Sequence, residues 1–286
     1  MEDLKNIFII GIGLIGGSMA RDLRKLLPES EIFGLDANQD HLEEAVGLGV
    51  IDHSATFEEL AKADLVVLAV PVDQANVLLP GILDAVGENT LVMDMGSTKA
   101  SICASVAKHA RRGNFIATHP IAGTEFSGPS AAIEDLYRNK IMIVSEIERT
   151  GTKFQKKALQ LFDALGMQLR YMNPQSHDKH IAYVSHLSHI SSFMLGKTVM
   201  EKEKNEKDIF DMAGSGFAST VRLAKSNPAT WTPIFRENRA EVLESLEEYI
   251  QNLSAFKKML ETGDYEGIYE EMKTTNHIKS ILKGIA

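Results

Sequence analysis

Asn6-Ile7-Phe8-Ile9-Ile10-Gly11-Ile12-Gly13-Leu14-Ile15-Gly16-Gly17 decides how the rest of the chain is read. A short apolar run ends on a glycine, and apolar residues at helical spacing follow from residue 14 to 27, where Pro28 stops them. Strand, glycine turn and helix in that order predict the start of a dinucleotide-binding βαβ unit. Each glycine has a task. Gly11 allows the tight turn, Gly13 lets the backbone approach a pyrophosphate, and Gly16 permits close helix–strand packing. The unpaired N–H groups at the helix start, at Leu14 and Ile15, then face the phosphates. Asp36 ends a second apolar run about 20 residues beyond Gly16, where a carboxylate accepts hydrogen bonds from the adenine ribose. A carboxylate there repels a 2′-phosphate, so the expected cofactor is NAD rather than NADP. A glycine turn in a methyltransferase-like or other α/β protein remains the alternative.

Outward from this unit the alternation continues. Strands are expected at 6–10, 31–35, 65–70, 90–95, 114–118, 140–144 and 168–172. Helices are expected around 41–46, 74–86 with a kink at Pro80, 99–109 and 153–165. The run 65–70 is continuously apolar, as in a strand covered on both faces. The expected fold is α/β, a doubly wound, mostly parallel Rossmann sheet over residues 1–172. Ala69-Val70-Pro71 closes the buried strand at the carboxyl edge of that sheet. Val70 and Pro71 are candidates for apolar contact with the cofactor, or a plain strand-to-helix turn. After Met172 the pattern changes. Asn173-Pro174 reads as an N-cap followed by proline at the first helical position. No convincing strand follows. One long helix is expected to about Lys202, and another over 233–261, with Ser254 the candidate break. Residues 173–286 therefore read as an all-helical domain whose apolar side chains complete their core against a second copy, giving a homodimer.

Composition narrows the function classes. A chain of 286 residues suits two domains. A net charge of −9 disfavours polyanionic partners, so neither nucleic acid nor a membrane surface is expected. The single cysteine, Cys103, excludes an intramolecular disulfide and fits a reducing compartment. The N-terminus lacks a basic stretch before an apolar core, and no apolar run reaches membrane-spanning length; a cytoplasmic protein is expected.

Two polar loops belong to the same sheet edge. The first is Asp94-Met95-Gly96-Ser97-Thr98-Lys99; the second is His119-Pro120-Ile121-Ala122-Gly123-Thr124-Glu125. His119 is expected directly after its strand, so that both loops face the nicotinamide. These loops resemble the signatures of the prephenate and arogenate dehydrogenases. The helical half agrees: Ser185-His186-Leu187-Ser188-His189, then Gly214-Ser215-Gly216-Phe217, Thr220-Val221-Arg222, and Asn227-Pro228 before Trp231. The resemblance covers nearly the whole chain.

It implies the following chemistry. A hydride leaves C4 of a cyclohexadienyl acid for NAD, the C4 hydroxyl gives up its proton, and loss of the ring carboxylate as CO₂ restores aromaticity. By resemblance His119, as a neutral imidazole, accepts that proton. Ser97 would hydrogen-bond both His119 and the hydroxyl, beside the nicotinamide. Arg222 would clamp the ring carboxylate, a role suited to a planar two-pronged donor. His189 would meet the polar side chain, Thr124 and Glu125 would line the entrance, and Trp231 would pack nearby. Prephenate is the expected substrate because a histidine at 189 can donate to a keto acid. Arogenate is the closest rival. A 3-hydroxyacid dehydrogenase and a non-catalytic NAD-sensing dimer are the others. Some relatives carry an acid three residues before the motif arginine; here that position is Ser219. A regulatory ACT domain or a fused mutase is not expected within the chain. His177 and His180 read as structural, and Asp178, Glu244, Glu247 and Glu248 as solvated faces. A metal pair at His186 and His189 lacks a third ligand at suitable spacing, so no metal is expected.

Overall fold

The computed structural model describes residues 3–206 and 208–282. The chain runs β1 (Asn6–Ile10), α1 (Leu14–Leu26), β2 (Glu31–Leu35), α2 (Gln39–Gly47), β3 (His53–Ser54), β4 (Leu65–Leu68), α3 (Val72–Ala85), β5 (Leu91–Asp94), α4 (Ala100–Ser105), β6 (Phe115–Pro120), β7 (Ile141–Ser145), α5 (Thr152–Ala164) and β8 (Gln168–Tyr171). The strands form one eight-stranded sheet in the order β3-β2-β1-β4-β5-β6-β7-β8. Pairings are parallel except β6 with β7, which is antiparallel. The α/β, doubly wound and mostly parallel sheet expected from the sequence is the one found.

Both faces of the sheet are buried. Ile7 and Ile9 of β1, with Leu65, Val67, Leu91 and Met93, face a core built with Met19 and Leu23 of α1 and Phe154 and Phe162 of α5. Phe8 and Ile10, with Val66, Leu68 and Val92, face the opposite core with Leu79 and Ile82 of α3 and Ile102 of α4. The two-residue period of a strand explains this split, and burial on both sides explains the unbroken apolar runs.

The helical part comprises α6 (Pro174–Ile181), a π-helical stretch (Ala182–His186), α7 (Leu187–Glu203), α8 (Ser215–Thr220), α9 (Pro228–Glu237), α10 (Arg239–Thr262), α11 (Tyr265–Thr275) and α12 (Ile278–Leu282). By compactness the chain divides into Met1–Arg239, which holds the sheet with α1 to α9, and Ala240–Ala286. Asn173 caps α6 through a bond from Ser176 N to Oδ1 at 2.8 Å, with Pro174 at the first helical position, as read from the sequence. No helix among the described residues is long and apolar enough to cross a membrane.

Four boundaries differ from expectation. His119 lies inside β6, paired with Ile143 of β7, and not after the strand. The antiparallel partner extends the pairing by two residues, His119 and Pro120. α4 ends at Ser105 rather than near 109, because the Ser105 hydroxyl bonds the Ile102 carbonyl and the backbone leaves the helical region at Val106. The single long helix is interrupted by the π stretch, where one extra residue per turn widens the helix. The later break falls at Asn238, not Ser254. Asn238 takes φ −110° and ψ 30° while its amide donates to the Asp178 carbonyl at 2.7 Å, so a tertiary contact ends α9.

A Cβ added at Gly16 would overlap the Gly11 carbonyl oxygen and stand 3.0 Å from Ile9 Cγ2. Backbone cannot yield as a flexible side chain does. Gly16→Ala is therefore expected to lower stability by about 3 kcal/mol, read as a shift in the urea midpoint at unchanged slope. A loss below about 1 kcal/mol would mean that α1 does not need this close approach to β1.

Candidate active site

Five parallel strands bring their carboxyl ends to one edge. At the end of β1, Gly11 has φ +91°, and a Cβ there would lie 2.6 Å from the Ala69 carbonyl oxygen, so only glycine fits. Gly13, two residues on, meets nothing within 4 Å of an added Cβ, which leaves open space beside it. α1 starts there without a side-chain cap and without an acidic residue in its first turn. Its Leu14, Ile15 and Gly16 N–H groups are oriented for an anion. Asp36, just past β2, accepts from Ile12 N through Oδ2 and from Asn38 N through Oδ1, each at 2.9 Å. These bonds hold the carboxylate beside the glycine turn, and each oxygen keeps a second lone pair for a ribose hydroxyl. Val70 and Pro71 form the turn from β4 into α3. The donors, the open glycine and the carboxylate fit NAD.

The second cluster is built on β5, β6, α4 and α6. Lys99 is wholly buried and its ammonium bonds Asp94 and, at 2.7 Å, the Thr118 carbonyl. Asp94 also accepts from Thr118 N and Gly96 N, both at 3.0 Å. This buried pair shapes the 94–99 loop and locks it to β6. On the same strand, His119 is 8% exposed. Its Nδ1 lies 2.8 Å from Nε2 of His177, and Nδ1 of His177 lies 2.7 Å from Asp178 Oδ1. Asp178, 3% exposed, also accepts from Lys99 N at 2.7 Å and Ala100 N at 2.8 Å. Nδ1 of His119 is thus occupied, and Nε2 is the nitrogen left for a ligand.

Burial, reinforced by the Lys99 ammonium and by the like charge that His177 and His186 would carry if protonated, holds His119 well below the ordinary imidazole range. Burial likewise lowers His177, with the Asp178 bond opposing it. His186 is pushed down to about 4 by burial. His189 is lowered by burial against a raising bond to Ser185. All four rings are neutral at pH 7.

The third cluster lies on the helices. His189 stacks on Trp231 with ring centroids 3.3 Å apart. His186 meets Trp231 edge-on at 5.9 Å, and Asn238 reaches His186 Nδ1 at 3.2 Å. Arg222, 55% exposed, places one guanidinium nitrogen 3.5 Å from Glu125 of the loop after β6. Thr124 is exposed, and its hydroxyl accepts from Phe126 N at 3.3 Å. The structure thus brings together Arg222 with Glu125, and His189 with Trp231.

Two expectations need correction. Ser97 is half-buried and, among the described residues, shares no hydrogen bond with His119; His177 takes that place. Asp178 is no solvated face; His177, read as structural, is buried with it and bonds His119. A signal was available: Pro174, His177, Asp178, Ile181 and Ala182 repeat at three- and four-residue intervals, and that stripe is the buried face of α6 and the turn after it.

Comparisons with known proteins identify the family. The family model described as "Prephenate dehydrogenase, nucleotide-binding domain" matches residues 19–171, and "Prephenate dehydrogenase, dimerization domain" matches residues 173–274. The chain belongs to the prephenate dehydrogenase family. The prephenate dehydrogenase of Bacillus subtilis is 29% identical over 96% of this chain and 75% of its own length. The cyclohexadienyl dehydrogenase of Zymomonas mobilis is 26% identical over 99% of this chain and 98% of its own. Among solved structures, prephenate dehydrogenase from Aquifex aeolicus in complex with hydroxyphenyl propionate and NAD+ superposes with a TM-score of 0.90 at 30% identity, covering 98% of this chain and 99% of that one. Synechocystis arogenate dehydrogenase does so with a TM-score of 0.75 at 27% identity, covering 96% and 99%. The chain is therefore a dehydrogenase of the prephenate and arogenate type, and its first domain is the nucleotide-binding one.

The buried neutral histidines make stability depend on pH. Their folded pKa values lie below the unfolded value of about 6.5. The unfolded chain then binds protons that the folded chain refuses, so stability is intact above that value and is lost as pH falls below it. The melting temperature is expected to decline between pH 7 and 5, and to decline less in His186→Gln than in the parent. A flat profile over that range would show that these rings titrate normally.

Proposed function

We propose that the protein catalyses the NAD-dependent oxidative decarboxylation of prephenate to 4-hydroxyphenylpyruvate on the route to tyrosine. The observation that carries this reading is His119: a neutral, buried imidazole at the carboxyl edge of the sheet, with Nδ1 occupied and Nε2 left as the acceptor. NAD, when bound, accepts the hydride from C4. His119 Nε2 takes the hydroxyl proton as the carbonyl forms, and returns it to the phenolate left when CO₂ departs from C1. Ser97, in the loop locked by Asp94 and Lys99, bonds the hydroxyl in this reading. Arg222 holds the ring carboxylate. Its exposure, and its weak pairing with Glu125, leave it available to a carboxylate that competes for the same guanidinium. Thr124 and Glu125 line the entrance. His189 and Trp231 form the wall against the side chain of the substrate. Gly11, Gly13, Leu14, Ile15, Gly16, Asp36, Val70 and Pro71 cradle the cofactor.

In this reading residues 1–172 serve NAD and residues 173–286 serve substrate and pairing. A homodimer is supported by the match to a dimerization domain and by exposed apolar side chains: Met194, Leu195 and Met200 on α7, and Leu243, Ile250, Leu253 and Leu260 on α10.

One observation favours arogenate as a second substrate. Nδ1 of His189 lies 3.0 Å from the Ser185 carbonyl, which can only accept. Nδ1 therefore carries the proton, and Nε2 of the neutral ring is an acceptor. An acceptor suits the ammonium of arogenate better than the keto group of prephenate, which removes the sequence-based argument for a donating histidine.

NADH formation with each acid in turn tests the proposal. Turnover of neither would overturn it and leave the reading of a non-catalytic NAD-binding dimer. His119→Asn is expected to lower kcat by roughly 10²–10⁴-fold with little change in KM; a kcat near that of the parent would remove His119 from the reaction. His189→Leu is expected to reduce kcat/KM for arogenate more than for prephenate, and an equal effect on both would show that position 189 does not read the side chain.

A further inference from the structure

We propose that His177 and Asp178 are positioning residues that act through His119, fixing its proton on Nδ1 and receiving the positive charge when His119 takes the substrate proton. The proposal deepens the reading of His119 as proton acceptor and rests on it. The geometry of the three side chains stands independently.

The chain of protons follows from the partners. Lys99 N and Ala100 N can only donate, so both oxygens of Asp178 act as acceptors. Oδ1, already bonded to Lys99 N, faces His177 Nδ1 at 2.7 Å, so that nitrogen carries a hydrogen. A neutral His177 then has a bare lone pair on Nε2. That lone pair faces His119 Nδ1 at 2.8 Å, and two lone pairs at this distance would repel. His119 Nδ1 therefore carries the hydrogen, and its Nε2 is bare. The carboxylate of one residue thus sets the tautomer of a ring two partners away.

The same chain answers a problem of charge. When Nε2 of His119 gains a proton inside the protein, an imidazolium forms with Lys99 nearby and no carboxylate bonded to its own ring. Transfer of the Nδ1 proton to His177 Nε2 moves the charge one ring inward. His119 becomes neutral again, now protonated on Nε2, and His177 becomes an imidazolium bonded to Asp178. The proton returns by the reverse path when the phenolate takes it back. No proton is lost or gained overall. Burial makes an isolated charge costly, and a bonded carboxylate offsets that cost. The pKa directions agree: every neighbour of His119 lowers it, whereas Asp178 raises His177.

The first test needs no substrate. Histidine ¹⁵N spectra of the full chain at pH 7.5 are expected to show His119 and His177 both protonated on Nδ1 and bare on Nε2; His119 protonated on Nε2 would overturn the proposal even if the enzyme is active. The second uses two variants of His177 with the better substrate. In His177→Leu the acceptor is gone, and kcat is expected to fall about 10²-fold, with KM changed by less than about twofold. In His177→Gln the Oε1 atom can still accept from His119 Nδ1, so part of that loss, about 10-fold in kcat, is expected to be recovered. Equal kcat in the two variants, or a loss confined to KM, would mean that His177 only fills space. Failure of the parent enzyme to oxidise either acid would overturn the functional reading but leave the spectra to judge the tautomer.

Discussion

Three donors converge on the carboxylate of Asp178: two backbone N–H groups at the start of α4 and the imidazole of His177 on α6. A buried carboxylate without such partners would be costly, so the arrangement is held or lost as a unit. It joins the helical segment after Met172 to the polar loops of the sheet. His177 then reaches His119 on β6, and the Asp178 carbonyl receives the Asn238 amide where α9 ends. One residue therefore ties α4, α6, α9 and, through its neighbour, β6 around a single point.

The sheet supplies the frame for that point. Its two buried faces make β1, β4, β5 and β6 rigid, and their carboxyl ends open on one edge. Asp94 and Lys99 extend the frame into the first polar loop. The pair is wholly buried, so removing one partner would strand a charge, a penalty of about 3–5 kcal/mol. The antiparallel β7 lengthens β6 past the point where the sequence pattern ends the strand. His119 gains a backbone held by β7 through that pairing, which suits a group whose tautomer and direction both matter.

Electrostatics and position work in the same direction. Four histidines lie near one another, and burial keeps each uncharged. A neutral ring can accept a proton; a charged one cannot. Arg222 and Glu125 sit at the exposed side of the same region, where charge is screened and exchange of partners is easy. The division into a dry interior of neutral rings and a wet rim of charges suits a substrate with two carboxylates and one reacting hydroxyl.

Much of this was legible from the chain alone. The glycine turn, Asp36, the alternation of strands and helices, the N-cap at Asn173 and the two signature loops all depend on local rules: backbone freedom at glycine, period-two and period-3.6 burial, and capping. Such rules act over a few residues and leave marks in order and spacing. The tertiary structure decided what local rules do not reach. It set the partner of His119, since His177 is 58 residues away, the burial of Asp178, the break at Asn238 and the donor sense of His189. Each of these depends on which distant backbone group or ring is brought within hydrogen-bond distance, and that is determined by packing rather than by the neighbouring residues in the chain.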